Sequence, residues 1–418
     1  MDYRITAILL LEAALAFWLL WRSNSFADVH GGAVCAVLLA LAFTARLSVF
    51  DHVTTDYTWF LKVWVDYFRQ NGGFKALRGS IGNYNIPYLY FLALFSYSSI
   101  DDMLLIKALS TLADVFLAWT SMMLVRRCGG SKRSSVICFF IIMFLPTVVI
   151  NGAMWSQCDS IYVSLALFGI LLALDGKPLG SMIAVAASFG FKLQAVFIMP
   201  VWLVIWIWKK YKWYYFLAFP LTYFLLILPA VIAGHPLGSA ITLYFDQMNT
   251  VGTALNYNSP SLTALMRNVS EANKDTVSTV LIIISFAALA IILFSAIRAR
   301  HEMTNLLFIC FTVLTVISVP FLLPHMHDRY FYIADVLTVV TACCIPKCFP
   351  AAIFCQFGSL ICYLAYMKTY YLRLGSIYLT NDRGAVSMLL AAAVTVTGIV
   401  FTLSDSRQNK AALTADKD

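Results

Sequence analysis

The sequence predicts an all-α polytopic membrane protein with about thirteen transmembrane helices. Composition carries the first half of that reading. Hydrophobic residues make up 61% of the 418-residue chain and charged residues only 12%, against roughly 25% charged in an ordinary soluble domain. A water-soluble globule of this length cannot cover so much apolar side chain. Run length carries the second half: the apolar stretches continue for about twenty residues, the span of a helix, instead of alternating over about ten as barrel strands do. Together these exclude a soluble enzyme, a disordered tail protein and a secreted disulfide scaffold.

The elements follow in order. Ile5–Trp21 has Arg4 before it and Arg22 after it. It lacks a basic leader and a small-residue cleavage site, so it reads as a retained helix rather than a signal peptide. Further spans are predicted at His30–Phe50, Met103–Val125, Ser134–Ile150, Ser160–Asp175, Pro178–Phe191, Leu193–Trp208, Trp213–Ala233, Val277–Ala296, Thr304–Leu323, Tyr330–Ile345, Pro350–Met367 and Ala385–Leu403. The pair at 178–208 is short for two full crossings. A single membrane domain is expected over 1–403, with a short polar cytoplasmic tail at 404–418.

The net charge is +8, but Lys and Arg fall in short groups between apolar runs, so no nucleic-acid partner is predicted. Arg126, Arg127, Lys132 and Arg133 form one basic loop, and Lys209, Lys210 and Lys212 another. Arg298, Arg300, Lys347, Arg407 and Lys410 fall on the same face, which the positive-inside rule makes cytoplasmic. The ten cysteines lie mostly within apolar runs without CxxC metal spacing, which reads as inert thiols. Asn268-Val-Ser270 fits an N-glycosylation pattern that is also frequent by chance.

The opposite, outer face receives the longer loops, and five constellations stand there. Asp51 and Asp56 follow the second span; Thr54 or Thr55 can cap a helix running to about Gln70, with Phe60, Leu61, Trp64, Tyr67 and Phe68 as its apolar face. It reads as an interfacial helix, and Asp56 is either a helix-start acid or a carboxylate aimed at the membrane boundary. In Gly82-Asn83-Tyr84-Asn85-Ile86-Pro87, the amides and phenol can bind a polyhydroxyl ligand or cap a loop, with Pro87 opening a helix. Trp155-Ser-Gln157-Cys-Asp159 exceeds what the helix cap at Asp159 needs. Lys192 and Gln194 sit between short Pro-interrupted segments, bordering a cavity or snorkelling to the interface. Pro324-His325-Met-His327-Asp328-Arg329-Tyr330 suits an anion better than a metal, because guanidinium matches phosphate oxygens and no third protein ligand for zinc is evident.

Taken in order, these motifs resemble the polytopic GT-C glycosyltransferases, most closely the bacterial mannosyltransferase-like proteins related to the second mannosyltransferase of GPI-anchor synthesis. The matching pieces are Thr55-Asp56-Tyr57-Thr-Trp-Phe-Leu61, Gly72-Gly-Phe74 with Ala76-Leu77, Gly82-Asn-Tyr-Asn85 with Pro87-Tyr-Leu-Tyr90, Trp155-Ser-Gln157-Cys-Asp159-Ser-Ile-Tyr162, Lys192-Leu-Gln194 and Leu323 to Tyr330, spread collinearly over about 280 of 418 residues. The sequence departs at Asp328, where the family pattern has Glu, and at Ile86, where a second proline is common. The resemblance implies a GT-C-like fold with interfacial helices in the first outer loop. It also implies a polyprenyl-phosphate-linked sugar donor, a glycan or glycolipid acceptor, and an acidic catalytic base, with Asp56 matching that position and Asp51 second. No cofactor is implied, and a divalent metal is compatible but not required.

Under this reading Arg329, His325 or His327, and Lys192 are the cations available to a leaving phosphate, and Asn83, Tyr84, Asn85, Trp155, Gln157, Asp159, Gln194 and Tyr330 line the substrate site. The enzyme would sit in a bacterial plasma membrane with its site outward, or in the endoplasmic reticulum in a eukaryote. The rival reading is a transporter or flippase of lipid-linked saccharides, which would be expected to show repeated halves; no internal repeat is evident.

Overall fold

A computed structural model describes residues 3–26, 28–250, 252–266, 269–368, 373–374 and 376–415; Asn268 lies outside them. The protein is all-α. Its helices are α1 Tyr3–Arg22, α2 Val29–Leu47, α3 Lys62–Gln70, α4 Ile86–Phe95, α5 Asp102–Arg127, α6 Lys132–Phe144, α7 Pro146–Val149, α8 Asp159–Leu174, α9 Pro178–Phe191, α10 Val201–Lys209, α11 Ala218–Ile232, α12 Leu237–Thr250, α13 Lys274–Arg298, α14 Asn305–Leu322, α15 Tyr332–Cys344, α16 Phe349–Lys368 and α17 Asn381–Ala415. Two-residue strands β1 Asn256–Tyr257 and β2 Met326–His327 pair in parallel, and β3 Arg373–Leu374 and β4 Ile377–Tyr378 pair antiparallel.

Every predicted span falls on helix. By length and composition, 8 described helices can cross a membrane, or 9 if the bent pair α6 and 146–154 is one span. α8, α9 and α15 are shorter apolar helices. The bend of 45° has a local cause. Pro146 has no N–H to continue α6, and it pushes Leu145 into an extended conformation at φ −60°, ψ 121°. The predicted span at 193–208 is likewise broken, into a 3-10 turn Leu193–Phe197 and α10, with Pro200 at the N-terminus of α10.

The chain forms two compact units, Met1–Met123 with Phe139–Ala195 and Tyr214–Val251, and Leu124–Cys138 with Val196–Trp213 and Gly252–Asp418. In the first, α8 packs on α9, α9 on α11, and α1 on α2. Its core joins Leu61, Trp64, Val65 and Phe68 to Leu89, Leu92, Ile161 and Ile227. In the second, α16 packs on α17, and α14 on α13, α15 and α17. The expected polar tail is helical: α17 continues past 403 to Ala415, through good helix formers such as Gln408, Lys410 and Ala411, and Ser406 Oγ donates to Glu302 O at 2.9 Å.

The helix predicted after Asp56 also differs in phase. It begins as expected on Thr54, whose Oγ1 accepts from Tyr57 N at 3.4 Å, and ends at Gln70. Its first turn, Tyr57–Leu61, is a π-turn. The extra residue in that turn rotates the following side chains, so Leu61, Trp64, Val65 and Phe68 are buried while Phe60 is 47% exposed beside Trp59 at 73%. Gly82 is placed against this face at φ 70°, where a Cβ would fall on the Trp64 indole. Gly82→Ala is therefore expected to displace Trp64 and the edge-on Tyr84 ring beside it, read as faster proteolysis of the 71–85 segment in detergent.

Candidate active site

The first unit gathers the polar motifs that surround Asp56. Asp56 follows Thr54 at the start of the helical turn, and its carboxylate is half-buried. Its Oδ2 accepts from Trp155 Nε1 at 2.9 Å and from Gln157 Nε2 at 2.8 Å. Two N–H donors on one oxygen fix the carboxylate's orientation.

The donors come from the turn between α7 and α8. Ile150–Met154 forms a π-turn, and Ser156 then adopts φ 65°, a left-handed conformation that costs an L-residue roughly 1–2 kcal/mol. That reversal lets Trp155 and Gln157, two apart, both reach Asp56. Strain of this kind persists where surrounding contacts over-determine the backbone. Here Gln157 N donates to Asn151 O at 2.9 Å, and Thr54 Oγ1 donates to Trp155 O at 3.3 Å.

Tyr84 completes the arrangement: its hydroxyl donates to Gln157 Oε1 at 2.9 Å, which leaves the amide nitrogen directed at Asp56. Tyr84→Phe removes this hydrogen bond, worth about 1 kcal/mol. Turnover through Asp56 should fall roughly fivefold, with the unfolding temperature lowered by no more than a few degrees, as measured by steady-state assay and thermal scan.

Asp159 is committed elsewhere. It is 1% exposed, with Oδ1 held by Lys192 Nζ at 2.6 Å and Oδ2 by Asn151 Nδ2 at 2.7 Å. Lys192 lies 5.5 Å from the centre of the Tyr84 ring and 6.0 Å from that of Tyr162, a cation–π setting. Its charge is thus balanced by Asp159, which changes its reading from a cation available to phosphate to half of a buried ion pair.

Other predicted residues fall as follows. Asp51 is exposed in the turn after α2, and the structure puts Asp56, not Asp51, among the Trp155 and Gln157 donors. Asn85 caps α4 through Ile86 N at 2.8 Å and donates to the Tyr223 hydroxyl at 3.2 Å. Asn83 is exposed. Gln194 is half-buried, and its Oε1 has no hydrogen-bond partner among the described residues. Burial raises the Tyr57 phenol well above its ordinary range, with Asp101, Asp102 and Asp66 adding to the rise and a hydrogen bond with the Met103 backbone opposing it.

His325, His327, Arg329 and Tyr330 belong to the second unit. His325 has φ 61°, and its ring contacts Ala254 O at 2.8 Å and Ser278 Oγ at 3.1 Å. Both ring nitrogens are engaged in holding the loop. His327 pairs with Tyr257 in the β1–β2 register and stacks on its ring at 4.8 Å, with Tyr330 beside it at 5.2 Å. Arg329 is partly buried, 3.6 Å from Asp328. Among the described residues no group of three or more His, Cys, Asp or Glu is placed to hold a metal ion.

Residues 91–209 match the model of the MptA_B family, described as alpha-(1->6)-mannopyranosyltransferase, N-terminal domain. That segment is mannosyltransferase-like. The match supports the GT-C-like mannosyltransferase family that the ordered motifs imply. The mannosyltransferase-like segment includes Trp155, Gln157, Asp159, Lys192 and Gln194; Asp56, Tyr84 and the 323–330 motif lie outside it. No curated protein matches the chain.

Reading of the sequence missed four buried polar residues: Arg46, Lys107, Ser110 and Asp114, each at most 1% exposed. Their signal was present. Polar residues at 107, 110 and 114 share one face of a helix, and ionisable groups within an apolar span are costly enough to need a role.

Proposed function

We propose that the protein is a membrane glycosyltransferase that moves mannose from a polyprenyl-phosphate donor to a hydroxyl of a cell-surface glycan or glycolipid, by inversion, with Asp56 as general base. One observation carries this: the half-buried Asp56 carboxylate, oriented by Trp155 and Gln157 at 2.9 and 2.8 Å. The mannosyltransferase-like segment and the apolar helices support the sugar and the setting. Basic loops on one face support an outward site in a bacterial plasma membrane.

The steps use side chains of the first unit. A sugar hydroxyl is a weak nucleophile at neutral pH, and a carboxylate in hydrogen-bond reach takes its proton as the oxygen attacks the anomeric carbon. The bond from that carbon to the phosphate oxygen breaks as the new one forms. The electron pair leaves with the polyprenyl phosphate, already a stable anion that needs no protonation. A retaining route needs a second carboxylate as nucleophile; Asp159, held by Lys192 and Asn151, is poorly suited to that role, which supports single displacement. Gln194 offers an amide to the sugar, and the Tyr84 hydroxyl, which donates to Gln157, can still accept from one.

The test of this chemistry is stereochemical. Purified protein is given polyprenyl-phosphate mannose of known anomeric configuration, and the product's anomeric proton is read by NMR. Inversion is expected; retention would overturn single displacement.

A further inference from the structure

We propose that α5 is the positioning spine of the Asp56 site. Through Lys107, Ser110 and Asp114, on one face, it holds the three chain segments on which the site is built. This rests on the reading of Asp56 as the base, and it adds residues that neither the motifs nor the proposed mechanism contains.

The spacing puts the three side chains in a row, separated by three and then four residues, and all are at most 1% exposed. Lys107 has three protons, and its Nζ meets three acceptors: Val49 O at 3.4 Å, Phe50 O at 2.8 Å and His52 O at 2.7 Å. These carbonyls lie just beyond α2, where backbone acceptors have no helical partner. His52 is four residues before Asp56, so this contact sets where the base-bearing segment leaves the bundle. One turn on, Ser110 Oγ donates to Gln157 O at 2.6 Å, which holds the strained turn carrying both donors to Asp56. One turn further, Asp114 Oδ2 receives Arg46 Nε at 3.0 Å and Nη2 at 2.9 Å, and its Oδ1 receives the Ser160 hydroxyl, next to Asp159. Arg46 also donates to Met143 O at 2.7 Å.

Each member of the row therefore holds a different segment: the turn before Asp56, the Trp155–Gln157 turn, and the start of α8. A charged amine buried in a membrane-spanning helix is costly, and ordinary helix packing would be served by Leu. What the lysine adds is a fixed position for a reversing backbone. Lys107, Ser110 and Asp114 touch neither Asp56 nor a substrate in this arrangement, so they are positioning residues.

The proposal predicts a split in kinetics. With polyprenyl-phosphate mannose as the probe, Lys107→Met should lower kcat about tenfold to a hundredfold, the scale expected when a reacting group is misplaced by about 1 Å. KM for the donor should stay within about twofold, because binding groups are untouched. Ser110→Ala removes one hydroxyl and should lower kcat about fivefold; this milder change decides the matter if Lys107→Met does not fold. Thr111→Val, whose lost hydroxyl bonds only its own helix at Lys107 O, should leave kcat within about twofold.

Hydrogen exchange on the same detergent-purified proteins reads positioning without activity. Lys107→Met should speed amide exchange in 48–58, and Ser110→Ala in 151–158, with α17 unchanged. Unchanged kcat and exchange in these variants, or exchange that rises evenly along the chain, would overturn the spine. If wild-type protein transfers nothing from this donor, the proposed function falls while the exchange arm still decides the spine.

Discussion

Asp56→Asn is expected to lower the transfer rate about 10²- to 10⁴-fold, the range lost when a general base is removed, while leaving the protein folded. The substitution keeps a carbonyl oxygen where Trp155 and Gln157 now donate and removes only the capacity to take a proton. Asp56→Ala should be similarly slow and also release both donors. Lys192 is paired with Asp159, so neither change strands the lysine's charge. Steady-state transfer and thermal unfolding on the same preparations separate the two effects. A drop in rate with an unchanged unfolding temperature is the expected pair of results.

The largest expected effect on stability lies at Arg46. Its guanidinium and the Asp114 carboxylate are both fully buried, 2.9 Å apart, and each is bonded to further groups. Arg46→Met strands Asp114 in the bundle, which costs about 3–5 kcal/mol. Replacing both members, as in Arg46→Met with Asp114→Leu, removes the stranded charge and should recover most of that loss, because a buried pair is often worth little against apolar packing of similar volume. Denaturant unfolding in detergent of the two singles and the double gives the coupling energy. Equal destabilisation by the single and double variants would mean that the pair itself, not the stranded charge, holds the helices.

Much of this fold was legible because a membrane span is written in run length. Each predicted span met a helix, and even the short pair at 178–208 was marked by Pro178 and Pro200. What run length does not carry is phase and direction. The π-turn at Tyr57–Leu61 rotated the face of α3, exposing Phe60, and no residue type announces a π-turn. Pro146 was visible, but the 45° bend it causes depends on how the next turn packs.

At the site, the residue set was readable and the pairing was not. Trp155 and Gln157 stood out as more than a helix cap requires. Their convergence on Asp56 depends on Ser156 at φ 65°, and serine is not a residue that signals a left-handed backbone. Lys192 read as a spare cation because its partner Asp159 is 33 residues away in sequence. Lys107 and Asp114 escaped notice for a related reason: each looks like an isolated charge in an apolar span until the partners, 55 and 68 residues distant, are known.

Transfer of mannose from a lipid-linked donor through Asp56 is the activity proposed for this membrane protein. Its most direct test reconstitutes wild-type and Asp56→Asn protein in liposomes. Radiolabelled polyprenyl-phosphate mannose or radiolabelled GDP-mannose is supplied with a lipid or glycan extract as acceptor, and labelled product is counted. Label should enter product from the lipid-linked donor with the wild-type protein only. Transfer from the nucleotide donor, or wild-type rates with Asp56→Asn, would contradict the account.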